Sequence, residues 1–242
     1  MLTIEHKTVA QVVAENIKTA HVFKKHGIDF CCGGGVSIEK ACNKKDLDYQ
    51  QIKSELLEVD KVPKAYDYNS WHLDFLIDHI VNIHHSYVKE SIPLLLQYSN
   101  RVAHVHGHHY AQVVQINTLF TEVANELGAH LEKEELILFP YIKKLLQFEK
   151  EGAKPTAPPF STVNNPIKMM ETEHESAGDI FKVIAQLSNN YTPPGGACNT
   201  FKALYAKLDE FEQDLHRHIH LENNILHPKA IQLEKSFESL YI

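Results

Sequence analysis

Six residues share types and a spacing suited to metal ligation. The segment HLEKEELILFP at 130–140 aligns without gaps with HIHLENNILHP at 218–228. That alignment sets His130 against His218, Glu134 against Glu222 and Pro140 against Pro228, at an offset of 88. An earlier histidine precedes each copy at nearly the same distance. His85 lies 45 residues before His130, and His174 lies 44 before His218. Imidazole and carboxylate donors together suit iron, manganese or zinc. An internal repeat predicts pseudo-symmetry in whatever the two copies build.

Within each His-x-x-x-Glu pair the residues stand one helical turn apart on one face, with β-carbons about 6 Å from each other. His174 falls on an apolar seam with Ile167, Met170, Ala177 and Phe181, and His85 falls among Val81, Val88 and Ile92. Both histidines should therefore point inward. Burying two carboxylates without compensation costs on the order of several kcal/mol each, an objection that metal coordination removes. Six inward ligands exceed the usual four of a structural zinc site. Two sets of His, His and Glu instead suggest a two-metal site. No His-Glu-x-x-His metalloprotease signature is present, and His174-Glu175-Ser176 does not complete one.

Helices must carry these groups. The periodicity predicts long amphipathic helices near 70–105, 109–148, 166–189 and 199–235, an up-down-up-down four-helix bundle. In such a bundle, residues at one depth straddle each turn at its midpoint. The midpoint of His85 and His130 is Gly107–His108; that of Glu134 and His174 is Lys154, beside Pro155; that of His174 and His218 falls at Gly195-Gly196. All three are helix breakers, so the four histidines can share one level.

Ahead of the bundle, residues 1–59 read as a small helical domain. Thr8-x-x-Gln11 and Asp48-x-x-Gln51 look like capping boxes, Gly27 is a helix stop, and Ser37 can cap the next helix. Between them lies the loop DFCCGGG at 29–35. Taken alone, its Cys31 and Cys32 read as buried or incidental thiols; binding iron, accepting nitric oxide or engaging a partner is the alternative. Residues 60–69 read as a linker, and 70–242 as the bundle domain.

Composition narrows the class. The chain has 242 residues, with 17 His against 24 Lys and Arg, and a net charge of -7. The negative charge argues against phosphate-neutralising nucleic-acid binding. No apolar run reaches membrane-spanning length, and the first residues lack a hydrophobic signal region, so a reducing cytoplasm is expected. Four cysteines, two of them adjacent, do not make a disulfide framework, and Cys42 and Cys198 receive no role. His104, His106, His108 and His109 read as a solvated turn able to pick up stray metal, Lys143-Lys144 as a solvated face, and Trp71 and Leu94-Leu95-Leu96 as core.

Taken in order, FKKHGIDFCCGG at 23–34, LIDHIVNIHH at 76–85, HLEKEELILFP, METEHESAG at 170–178 and HIHLENNILHP make the chain similar to the Repair of Iron Centers family, the ScdA/YtfE type of di-iron protein. The resemblance spans nearly the whole chain. It implies an all-α fold, with a small N-terminal helical domain before a hemerythrin-like four-helix bundle. It implies two non-haem iron ions, oxo-bridged, on His85, His130, His174 and His218, with Glu134 and Glu222 as bridging carboxylates. His84 is a rival at the first position, and the family's spacing to Pro93 selects His85. His227 stands where the first copy has Phe139, past Glu222, and should leave the ligand set unchanged. His220 should face solvent or back the ligands. The family repairs iron–sulfur clusters damaged by nitric oxide or oxidants, by iron donation or by handling nitric oxide. Cys31 and Cys32 become candidate relay thiols, and the implied partners are damaged cluster proteins, nitric oxide or oxygen, with a homodimer compatible. A hemerythrin-like carrier or sensor of oxygen or nitric oxide, and a di-iron nitric oxide reductase, are the alternatives.

Overall fold

A computed structural model describes residues 4, 6–60 and 66–239. The central part of the expected linker, 61–65, lies outside them. The elements are α1 (Val9–Glu15), α2 (Ala20–Lys25), α3 (Ile38–Lys44), α4 (Tyr49–Asp60), α5 (Leu73–His79), α6 (Ser86–His106), α7 (Ala111–Lys133), α8 (Phe139–Glu151), α9 (Asn164–Leu187), α10 (Asn199–Leu221) and α11 (His227–Ser239). The fold is all-α. Among the described residues the one β-type pairing is an isolated bridge between Thr8 and Ser37. No helix among them is long and apolar enough to cross a membrane.

The chain divides into two compact units. One comprises Met1–Ile77, Leu145–Pro155 and His216–Ile242; the other comprises Asp78–Lys144 and Thr156–Leu215.

In the first unit, short helices are specified by their ends. Thr8 and Gln11 form a reciprocal capping box at the start of α1. The next free donors of α1 are met by the returning loop: Val9 N–H donates to Val36 O and Ala10 N–H to Gly34 O. Gly34 permits that approach, because a Cβ there would stand 2.5 Å from Phe30 O and 2.9 Å from Ala10 Cβ. Gly27 takes φ +64° after α2, and Ser37 caps α3 through Lys40 N–H. The second expected capping box does not form. Asp48 Oδ1 accepts from Gln50 N–H, an Asx-type turn, while the Gln51 amide donates to Glu55. Val12, Val13, Phe23, Ile38, Ile52 and Leu56 are buried, as are Ile219, Ile225 and Leu226 of the same unit. Trp71 is half-buried rather than core, stacking edge-on with Tyr68 at 4.7 Å between ring centroids.

The second unit holds α6, α7, α9 and the part of α10 up to Leu215, with a tight turn at Gly107. Its core is a triad of rings from three helices. Phe181 stacks on Phe211 at 5.6 Å and 18°, and Phe120 meets Phe211 edge-on at 5.9 Å. The Leu94-Leu95-Leu96 run is not wholly core: Leu95 is buried, but Leu94 is 36% exposed, because a helix turns consecutive residues to different faces.

Candidate metal centre

Three of the segments that carry the proposed ligands leave α-helical geometry at the ligand itself. Ile80–His85, Glu134–Leu138 and Glu222–Leu226 are π turns. Phe139 N–H reaches back five residues to Glu134 O, and His227 N–H does the same to Glu222 O. The last two turns come two residues before Pro140 and Pro228. A proline has no N–H for the carbonyl four residues back and its ring crowds it, so a widened turn relieves both problems. At the first turn, which no proline follows so closely, Ser86 N–H reaches Val81 O, five residues earlier, and Ser86 Oγ donates to the same oxygen at 3.1 Å. The two repeat copies thus share backbone irregularity as well as sequence.

In the second unit, His85, His130, Glu134 and His174 come together and are buried. Glu134 is fully buried, and its Oε2 lies 3.4 Å from His85 Nε2 and 3.4 Å from His130 Nε2. One carboxylate oxygen is therefore shared by imidazoles from two helices. His130 Nε2 also faces His174 Nε2 at 3.0 Å. Donor atoms of His130, Glu134 and His174 all lie within 4.8 Å of one another.

The outer ring nitrogens explain this orientation. His85 Nδ1–H donates to Glu135 Oε1 at 2.8 Å, and His130 Nδ1–H donates to Glu173 Oε2 at 2.8 Å. Holding the proton on Nδ1 turns each Nε2 lone pair inward, as carboxylate-supported metal histidines require. Lysines brace both carboxylates: Lys89 meets both Glu135 oxygens at 2.8 Å, and Lys133 pairs with Glu173. Burial pushes the Glu135 and Glu173 carboxyls up, but the bonds from Lys89 and His85, and from Lys133 and His130, outweigh it and hold both below the ordinary value. Glu135 and Glu173 escape the repeat alignment because they sit beside the matched residues. Their adjacency to Glu134 and His174 was the available signal.

His84 takes no part in this cluster. Its Nδ1 lies 3.0 and 3.1 Å from the two carboxylate oxygens of Asp214. His85 occupies the inward position, with Phe139 stacked 5.6 Å from its ring.

In the first unit, His218 and Glu222 repeat the pairing of His130 and Glu134. His218 Nε2 is 3.0 Å from Glu222 Oε1, and both residues are buried. His220 is not solvated, as the sequence allowed: it is 0% exposed, and burial pulls its imidazole down to about 4. His227 is also fully buried.

The Cys31–Cys32 loop lies in the same unit. Cys31 is 5% exposed and Cys32 half-buried. Cys31 N–H and Sγ both approach Asp29 Oδ1, at 3.0 and 3.2 Å. A hydrogen bond with Cys32, burial and the Asp29 charge push the Cys31 thiol well above its ordinary value. Cys42 is buried, whereas Cys198 is exposed beside His106, with Nε2 and Sγ 3.2 Å apart.

The donor set fits a cation held by nitrogen and oxygen. The imidazole nitrogens of His130 and His174, 3.0 Å apart, can share a proton or turn both lone pairs to a cation, and a fully buried carboxylate beside them favours the positive charge.

Comparison with known proteins agrees with this chemistry. Residues 5–60 match the ScdA_N family, described as a domain of unknown function (DUF542), and residues 76–230 match the hemerythrin HHE cation binding domain. The latter range contains all six residues of the repeat. The iron-sulfur cluster repair protein YtfE of Escherichia coli O17:K52:H18 is 36% identical over 214 residues, covering 88% of this chain and 91% of the relative. YtfE of Escherichia coli O8 and of Shigella boydii serotype 4 match with the same identity and coverage. The order of the two domains, the buried His and Glu side chains and this identity together place the chain in the YtfE family of iron-sulfur cluster repair proteins.

Proposed function

We propose that this protein repairs iron–sulfur clusters damaged by nitrosative or oxidative stress, using two non-haem iron ions as its resident metal. The observation that carries the reading is Glu134: fully buried, with one oxygen 3.4 Å from imidazole nitrogens on two different helices. In this reading His85, His130, His174 and His218 are the nitrogen ligands, and Glu134 and Glu222 are carboxylate bridges. The repeat supports the assignment, because His218 and Glu222 keep the pairing of His130 and Glu134.

Iron bound there would be held by nitrogen and oxygen donors, less exclusively than by thiolates, and six protein ligands for two ions would leave room for small ligands. The protein's own residues set the rest. Glu135 and Glu173 orient His85 and His130, and the buried surroundings strengthen every charge interaction at the site. Cys31 and Cys32 are the candidate relay thiols through which iron or nitric oxide passes to or from a client. Clients are damaged cluster proteins of the cytoplasm, nitric oxide and oxygen are the small ligands, and a homodimer is compatible.

Metal content by mass spectrometry on untagged protein purified without oxygen, with an optical spectrum after air exposure, tests the centre. About two irons per chain with oxo-bridged absorption is the expected result; one zinc overturns it. Reconstitution of a nitrosylated cluster protein tests the activity. Glu134→Leu and Glu222→Leu variants should fail to restore it, and full repair by either would sink the assignment.

A further inference from the structure

The two repeat copies differ at six of eleven positions, and three of the differences converge on one loop. Glu132, Glu135 and Leu136 of the first copy correspond to His220, Asn223 and Asn224 of the second. In the first copy Glu132 is exposed and Leu136 is 75% exposed. In the second copy all three replacements reach the Cys31–Cys32 loop. Asn224 Nδ2 donates to Cys31 O at 3.2 Å and stands 3.1 Å from His220 Nδ1. His220 Nδ1 lies 3.4 Å from Phe30 O, and its ring packs edge-on to the Phe30 ring at 6.0 Å. Asn223 Nδ2 points to Cys32 Sγ at 3.9 Å. The next matched pair follows suit: Ile137 is 49% exposed, whereas Ile225 is 1% exposed.

We propose that His220, Asn223 and Asn224 are positioning residues that fix the Cys31–Cys32 loop on the π turn beginning at Glu222 and present Cys32, not Cys31, as the reactive thiol. The second copy keeps His218, Glu222 and Pro228, which the repeat shares, and three of its six departures from the first lie where the loop docks. The π turn matters here, because its extra residue brings both Asn223 and Asn224 to the loop side of the helix. The loop side is equally built for the contact. Gly34 lets the chain pass against Phe30 O and Ala10, and Val36 O and Gly34 O are anchored on α1. Asp29 then holds Cys31 inside, with its thiol kept protonated by Cys32, burial and the Asp29 charge. A thiol that stays protonated is a poor nucleophile and a poor iron ligand. Cys32, half-buried with an amide N–H directed at its sulfur, is the one left to react.

Peptide-resolved alkylation by iodoacetamide on the full-length, reduced protein at neutral pH reads this directly. Cys32 should alkylate at least about tenfold faster than Cys31 in the parent, as expected for a half-buried thiol against one enclosed beside a carboxylate. Asn224→Leu restores the first copy's residue and removes the bond to Cys31 O and the polar contact with His220. It should speed Cys31 alkylation about fivefold to tenfold, as the loss of buried hydrogen bonds favours local opening, while iron content stays at the parental level. Asn224→Asp, nearly isosteric and without N–H donors, should act in the same direction and serves if the leucine variant does not fold. Cys31 reacting as fast as Cys32 in the parent, or Cys31 unmoved in both variants, overturns the proposal. The link to repair rests on the proposed function, and the readouts separate the two. Faster Cys31 alkylation with intact repair upholds the positioning and removes the thiols from repair. Lost repair with parental alkylation overturns the positioning.

Discussion

His130 Nε2 and His174 Nε2 face each other across 3.0 Å in the interior of the second unit. His130 donates its Nδ1–H to Glu173, so its inner nitrogen presents a lone pair, which is met by a proton on His174 Nε2 or by a cation when both rings turn a lone pair inward. The same logic separates two adjacent histidines. His85 turns its Nε2 toward Glu134, whereas His84 is held by Asp214. His174→Leu and His85→Leu should therefore purify with markedly less iron than the parent, and His84→Leu should retain it. Elemental analysis of the three variants checks this; equal iron in His84→Leu and His85→Leu would remove the distinction.

Glu135 and Glu173 accept hydrogen bonds from the outer nitrogens of two proposed ligands. Replacing such a carboxylate lowers metal affinity about 10–100-fold, because the imidazole loses both its orientation and part of its basicity. Glu135→Gln and Glu173→Gln should each show that loss in competition with a ferrous chelator. Lys89→Ala should cost far less, since Lys89 is 53% exposed and its pairing with Glu135 is solvent-screened. A chelator titration in which the Gln variants match the parent would mean that the histidines are oriented by packing alone.

Much of this arrangement was legible in the sequence, and the illegible part has a physical reason. Spacing within one helix shows which side chains share a face, so His130 with Glu134 and His218 with Glu222 could be read directly. Midpoints at helix breakers anticipated that His85, His130 and His174 come together in the second unit. The π turns were not legible, because periodicity assumes the regular rise that a π turn interrupts; only Pro140 and Pro228 hinted at them. The supports were missed for a different reason. Glu173 reaches His130 across 43 positions in sequence, and Asn224 reaches Cys31 across 193. Contacts of that range depend on packing that no local pattern encodes. His220 illustrates the same limit: its place two residues after His218 argued for another face, but not that the Cys31–Cys32 loop covers that face.

The N-terminal helices carry a pH-sensitive clasp. Glu55 accepts from His26 Nε2 and Lys25 Nζ, each at 3.0 Å, and from Gln51; these bonds hold its carboxyl down at about 2. A carboxyl whose folded value lies below its unfolded one contributes stability that is complete above the unfolded value, near 4.5, and is lost as pH falls toward 2. The midpoint of thermal unfolding should fall across that window, and Glu55→Gln should flatten the fall while lowering the plateau at neutral pH. Identical slopes for parent and variant between pH 5 and pH 2 would place the acid sensitivity elsewhere.

Phe211 joins three helices of the second unit through one ring. It is fully buried, stacks on Phe181 of α9 and meets Phe120 of α7 edge-on, and its own helix is α10. Truncation to alanine removes the transfer energy of a buried ring and leaves a cavity that three helices cannot close together, a loss of about 3–5 kcal/mol. Phe120 and Phe181 would each lose an aromatic neighbour as well, a further contribution of about 0.5–1.5 kcal/mol per pair. Phe211→Ala should therefore unfold at clearly lower urea concentration than the parent, with the metal-free forms compared so that ion binding does not enter the difference. Leu94→Ala, on the 36% exposed side of α6, should change stability by about 0.5 kcal/mol or less. If Phe211→Ala cost no more than Leu94→Ala, the ring triad could not be what fixes α7, α9 and α10 in register, and the burden would shift to the aliphatic contacts around it.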